Sequence, residues 1–245
     1  LHVADIGLKT KIINKKRFNY YLDIRDEQMV KQFLLNLKNN FGKFDILINN
    51  AAFTTEMALK ESKKFKKNDF FLTKVWDQTI NVNLKGPFLG CKYFVKYHHD
   101  KKIDQRVINI GSIAAHRTGY AGIIYSSMKA AVVQFSKVAA IEVAHHGIRI
   151  NSISPGLIVT EIWSDLGPEH PTFNNQFEAS EDGIKDVFKL IQPTGRAGLP
   201  RDISNVVAFL ASDDSTFITA QDLVVDGGII SGRTRDQKIE EFGKV

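Results

Sequence analysis

Apolar residues fall along this chain in two alternating patterns. Short runs rich in β-branched residues recur at 2–5, 18–23, 45–49, 106–111, 149–154 and 223–225. Several are apolar on consecutive positions, as in Ile46-Leu47-Ile48, which suits strands covered on both faces. Between them lie stretches of helical period at 26–40, 74–97, 125–144 and 202–211. Asp26 stands at the N-cap position of the first stretch, and Gly42 lies just past its end. Alternating strands and helices predict an α/β fold: a doubly wound, Rossmann-like parallel sheet with right-handed crossovers. Ligands of such sheets bind at the carboxyl ends of the strands, so the residues that directly follow strands are the candidates for function. The stretch 123–144 is apolar around most of its circumference, which predicts packing on the sheet and against a second subunit.

Composition narrows the picture. The chain has 245 residues, 43% hydrophobic and 24% charged, a globular balance. No linker or repeat divides it, so one domain over 1–245 is expected. No apolar run reaches the ~18 residues that a membrane span needs. A single cysteine, Cys91, excludes a disulfide within the chain and points to a reduced, cytoplasmic setting. The excess behind the net charge of +6 sits in short basic groups, at Lys15-Lys16-Arg17, Lys63-Lys64 with Lys66-Lys67, and Lys101-Lys102. No aromatic residues alternate with them as a nucleic-acid stacking platform requires, so a solvated basic surface is expected and no nucleic-acid partner. Histidines occur as the neighbours His98-His99 and His145-His146, whose side chains diverge on a helix, and no metal site is expected.

The chemistry concentrates in four residues. Tyr125 and Lys129 are four apart, on one face of a helix. An ammonium beside a phenol favours the phenolate and suits the phenol to general acid–base work. Ser112 follows the run 106–111, where a hydroxyl can donate to a carbonyl oxygen or a developing alkoxide. Asn83 interrupts a helical pattern, where asparagine is unfavourable, so a buried polar role is expected.

These residues, in order with others, resemble the short-chain dehydrogenase/reductase family. Asn49-Asn50-Ala51-Ala52 is similar to its NNAG, and Asn81-Val82-Asn83-Leu84 to its catalytic-asparagine segment. Gly111-Ser112, Tyr125 and Lys129 match its serine, tyrosine and lysine in type and spacing. Pro155-Gly156 with Thr160 matches its PGxxxT, Gly195 to Asp202 its GRxGxPxD, and Val225-Asp226-Gly227-Gly228 its closing VDGG. The resemblance spans nearly the whole chain. It implies an oxidoreductase that moves a hydride between NAD(H) and a secondary alcohol or ketone. It assigns proton exchange to Tyr125, the hold on the substrate oxygen to Ser112, and the nicotinamide ribose to Lys129. Asn83 would position a water linking Lys129 to solvent. Ile158 and Thr160 would hold the carboxamide, Asp23 and Ile24 the adenine, and Asn50 with Ala51 the adenine ribose. Asp5 ends the predicted strand 2–5. An acidic residue there binds ribose hydroxyls and repels a 2′-phosphate, which favours NAD over NADP. A homodimer or homotetramer is implied as well.

Some features depart from the family pattern. None of the 17 glycines has GxGxxG or TGxxxGxG spacing. The chain is expected to open at the family's second strand, as an incomplete record of a longer enzyme. The alternative is a truncated or inactive relative that serves as an oligomeric scaffold. The absent strand would lie between 2–5 and 45–49, leaving both with unpaired edges. Ala52 and Ala220 stand where the family has glycine. Residues 161–194 correspond to the substrate lid, and their aromatics, Trp163, Phe173, Phe177 and Phe188, suggest a partly apolar substrate.

Overall fold

The computed structural model describes residues 2–5, 11–14, 17–42, 44–54, 73–98, 104–160 and 181–234. The chain opens with β1 (His2–Asp5), β2 (Lys11–Asn14) and β3 (Arg17–Tyr21), followed by α1 (Glu27–Phe41) and β4 (Ile46–Asn49). Helix α2 (Thr73–Ile80) passes through a π-helical turn (Asn81–Lys85) into α3 (Gly86–His98). Then come β5 (Gln105–Ile110), α4 (Ile123–Val143), β6 (Ile148–Pro155), α5 (Glu181–Ile191), α6 (Pro200–Leu210) and β7 (Asp222–Val225).

Strands β4-β5-β6-β7 form a sheet in that order, all parallel. The core shows helices on both faces. Cys91 and Phe94 of α3 and Ala140 of α4 pack with Val107, Ile148 and Ile150. Leu210 of α6 packs with Ile108 and Ile153 from the other side. Strand β6 is buried from Ile148 through Ser154, its polar side chains included, because both faces of the sheet are covered.

Helix α1 follows from its local sequence. The Asp26 carboxylate accepts from the amides of Gln28 and Met29 at 2.8 and 3.1 Å. Such a cap is worth about 1 kcal/mol. Val30, Leu34 and Leu37 then form the buried stripe, against Leu22, Leu89 and Tyr93. Helix α6 opens with Pro200, whose missing N–H costs nothing in a first turn. Asp202 ties that turn down: it accepts from the Leu199 amide at 2.8 Å and pairs with Arg196 at 2.7 Å. The Arg196 hydrogen bonds and the Leu199 amide hold the Asp202 carboxyl at about 2.

Three features matter, the first as the sequence led one to expect and the other two different from it. First, the parallel sheet is interrupted where the absent strand would lie. β1 pairs with β3, and β3 with β2, in a separate three-stranded sheet. Among the described residues β4 is thus an edge strand, and its Ile46 and Ile48 are 40% and 42% exposed. A cleft of about 760 Å³ runs along it, walled by Phe33, Leu34 and Leu37 of α1 and by Val207, Ala208 and Ala211 at α6. Second, β2 is an antiparallel partner of β3 over residues for which the sequence suggested no strand. Its hairpin has an irregular register at Ile12/Asn14, and its short polar-flanked run gave no clear period. Third, part of the expected lid is helix α5, and Phe188 is a fully buried core residue beside Ile184 and Val187. It is not a substrate contact. Trp163, Phe173 and Phe177 lie outside the described residues, as do the lysine groups at 15–16, 63–67 and 101–102. Ala220, in the family's glycine position, adopts φ 58°, a left-handed conformation costly for alanine. Among the described residues no helix is long and apolar enough to cross a membrane.

A buried polar bolt joins β4, β5 and α4. Asn49 Nδ2 donates to Asn109 Oδ1 at 2.8 Å, and Asn109 Nδ2 donates to Ser136 Oγ at 2.8 Å. Gly90 permits it, since a Cβ there would lie 2.6 Å from Asn49 Oδ1. Replacing Asn109 by alanine takes the acceptor from half-buried Asn49 and the donor from buried Ser136 and leaves a cavity in the core. Asn109→Ala should destabilise the fold by about 2–4 kcal/mol in urea unfolding. A loss below about 0.5 kcal/mol, typical of a surface site, would contradict the role given to the bolt.

Candidate active site

Ser112 leaves the end of β5 in an extended conformation, φ -170° and ψ 153°, and caps a 3-10 turn over Ile113–Ala115. Its Oγ accepts from the Ala114 amide at 3.1 Å. The hydroxyl hydrogen therefore points away from that bond and can be donated to an oxygen in the site. Helix α4 packs against this turn and against the π turn of α2–α3. The turns that carry Ser112 and Asn83 thus both pack on the helix that carries Tyr125 and Lys129.

Lys129 is 2% exposed. Its Nζ donates to the Ile110 carbonyl at 2.7 Å and lies 5.7 Å from the centre of the Tyr125 ring. Burial draws the ammonium down from 10.5 to about 8. It still carries its proton at neutral pH, so the positive charge next to Tyr125 persists.

Asn83 sits inside the π turn, 1% exposed. Its amide is bonded twice to one backbone residue: Oδ1 accepts from the Phe53 amide at 2.7 Å, and Nδ2 donates to the Phe53 carbonyl at 2.8 Å. The side chain therefore anchors the segment after β4. The extra residue of the π turn carries Asn83 into the core, a displacement that helical periodicity does not register.

The other candidates lie where strands end. Asp5 is the last residue of β1. Asp23 follows β3, and its carboxylate is held by Arg25 at 2.7 Å, whose hydrogen bond keeps it below the usual carboxylate range. Ile24, Asn50 and Ala51 line one end of the cleft along β4. Ile158 makes a parallel bridge to Gly198 and lines a small pocket of about 180 Å³ with Gln192, Thr194 and Arg196. Thr160 is exposed two residues on. Cys91 is buried, and its thiol is pushed up to about 12 by desolvation, so it is a packing residue and not a nucleophile. Among the described residues no group of three or more histidine, cysteine, aspartate or glutamate side chains could hold a metal ion.

The donor set fits a nicotinamide cofactor at both ends. A buried ammonium with one protein acceptor has N–H groups left for a ribose diol. The cleft beside Ile24, Asn50 and Ala51 accommodates a flat apolar base with a sugar. Between these ends, the described residues include no glycine-rich turn to cradle a pyrophosphate.

Burying Lys129 has a pH signature. Below about 8 both folded and unfolded chains carry its charge, and the folded state bears the desolvation cost. Above that value the folded protein releases the proton first, and the cost fades toward 10.5. The stability of the native protein relative to Lys129→Met should therefore rise by about 2–3 kcal/mol from pH 7 to pH 10. Urea unfolding of both at each pH checks this, and a flat difference would contradict it.

Comparison with known proteins places the chain. It matches the family described as enoyl-(acyl carrier protein) reductase over residues 7–230. It is 39% identical over 226 residues to the (2S)-[(R)-hydroxy(phenyl)methyl]succinyl-CoA dehydrogenase subunit BbsD of Thauera aromatica, covering 92% of this chain and 74% of that protein. Among solved structures, ElxO with NADP bound is similar with a TM-score of 0.73 and 29% identity, over 89% of this chain and 80% of that one. A short-chain dehydrogenase from Leptospira borgpetersenii serovar Hardjo-bovis with bound NAD+ has a TM-score of 0.74 and 26% identity, over 93% and 82%. With its Rossmann-like sheet and this coverage, the chain belongs to the short-chain dehydrogenase/reductase family of oxidoreductases.

Proposed function

We propose that the protein transfers a hydride between NAD(H) and a secondary alcohol or ketone, with Tyr125 as the general acid and base. The observation that carries this reading is the buried Lys129 ammonium, set beside the Tyr125 ring and tied to the carbonyl two residues before Ser112. When bound, the nicotinamide supplies or accepts the hydride. In reduction, Ser112 donates a hydrogen bond to the ketone oxygen, and Tyr125 gives that oxygen a proton as the carbonyl carbon gains the hydride. The Lys129 charge stabilises the phenolate left behind, and solvent returns the proton. Oxidation runs the same steps backward. Asn83 holds the segment after β4 in place beside the site.

NAD is the preferred cofactor in this reading, because an acidic residue, Asp5, ends β1. The two similar structures carry NADP and NAD+ respectively, so the choice falls to residues of this chain. The name of BbsD denotes a hydroxyl on a succinyl-CoA derivative, which supports the secondary-alcohol class. A homodimer or homotetramer through α3 and α4 is part of the same proposal. Phe88, Val138 and Ile141 leave an apolar stripe on the outer side of these helices.

A second reading, a non-catalytic oligomeric scaffold, has one observation in its favour: the break in the sheet along β4. Activity separates the two. Against a panel of ketones and secondary alcohols, Tyr125→Phe should lower turnover about a thousandfold, with its circular dichroism unchanged. Near-native turnover in that variant would remove Tyr125 from the chemistry. Asp5→Ala should reduce the ratio of kcat/KM for NADH over NADPH by about tenfold. An unchanged ratio would take cofactor choice away from Asp5.

A further inference from the structure

Asp222 opens β7, and its carboxylate is only 3% exposed. Ser154, fully buried on β6, donates its hydroxyl to both carboxylate oxygens at 2.8 and 3.0 Å, and Ser152 donates to one of them. Hydroxyls alone leave a buried carboxylate poorly compensated. The remaining partner is His116, whose Nε2 lies 2.8 Å from Asp222 Oδ2 and 3.1 Å from Ser154 Oγ. An imidazole that bonds a buried carboxylate is held far more firmly than one bonded to water.

The location of this cluster gives it meaning. His116 closes the single 3-10 turn that Ser112 opens, and its amide donates to the Ile113 carbonyl at 2.9 Å. Ser154 reaches the same peptide from the sheet. A Cβ on Gly111 would come within 2.8 Å of Ser154 Oγ, so the absent side chain lets the chain settle onto the cluster. Behind Ser112, the Gly111 amide donates to the Ile153 carbonyl at 2.7 Å, and Lys129 bonds the Ile110 carbonyl. The turn that carries Ser112 is therefore pinned before, beneath and after the serine.

We propose that His116, anchored on Asp222 and Ser154, is a positioning residue that fixes the direction of the Ser112 hydroxyl. This rests on the reading of Ser112 as the group that holds the substrate oxygen. His116 touches no reacting atom in this account. It acts by restricting the turn, so its loss should lower kcat more than it changes KM for NADH.

The test compares the native protein with His116→Ala and His116→Gln, the second retaining a donor toward Asp222. Amide hydrogen exchange over residues 112–117 should rise roughly tenfold in His116→Ala and return toward the native rate in His116→Gln. Exchange in β5 should stay unchanged in both, which separates loss of the anchor from global unfolding. With NADH and the ketone the native protein reduces fastest, kcat should fall roughly tenfold in His116→Ala and recover in His116→Gln. Native exchange in His116→Ala would overturn the proposal, and so would raised exchange with native kcat. A native protein that reduces no ketone would defeat the oxidoreductase reading, while the exchange rates would still decide whether His116 anchors the turn.

Discussion

A charged amine held out of water organises this site. Burying Lys129 is unfavourable, and its fall to about 8 expresses that cost. The structure tolerates the charge through the Ile110 carbonyl and the face of the Tyr125 ring. Those two contacts do more than offset desolvation. One joins α4 to the strand end that presents Ser112, and the other sets a cation beside the phenol. Remove the charge and the helix, the strand end and the tyrosine lose their common reference point.

The two halves of the molecule are held with different firmness. From β5 to β7 the sheet is paired on every internal edge, covered by helices on both faces, and locked by the Asn109 and Asp222 networks. This half carries Ser112, Tyr125, Lys129 and Ile158. The residues assigned to the adenosine end, Ile24, Asn50 and Ala51, instead line the cleft beside the free edge of β4. Besides the β4–β5 ladder, Asn83 and Asn49 tie distant segments together, Asn83 through two amide bonds to Phe53 and Asn49 through one to Asn109. At the opposite end of the sheet, Arg149 bonds Asp104 at 2.7 Å, and Arg106 joins the same carboxylate. Burial pushes that carboxyl up, but the two guanidiniums overcome it and hold it below its ordinary range.

What the sequence made legible is what local pattern encodes. Recurring isoleucine and valine located β5 and β6 within about a residue, although Asn109 interrupts the first and four polar side chains the second. The N-cap at Asp26 and Gly42 just past the end marked α1. Tyr125 and Lys129 share a helix face by spacing alone. The features that escaped depend on contacts between distant segments. Phe188 is the exception: Ile184, Val187, Phe188 and Ile191 repeat at helical spacing, a local signal that reading 161–194 as a lid passed over. Asn83 was marked as buried, but its Phe53 partner lies 30 residues away. His116 and Asp222 are 106 residues apart, and each alone is an ordinary polar residue. The only local signals were a histidine four residues after Ser112 and an aspartate opening an apolar strand.

The central claim is a hydride moved between nicotinamide and carbon while Tyr125 handles the proton. Incubation with [4-²H]NADH and a set of ketones, followed by mass spectrometry of the alcohols, addresses it most directly. The account predicts one deuterium on the carbinol carbon and none on oxygen after exchange with water. Alcohol formed without label there, using cofactor deuterated at both C4 positions, would contradict it.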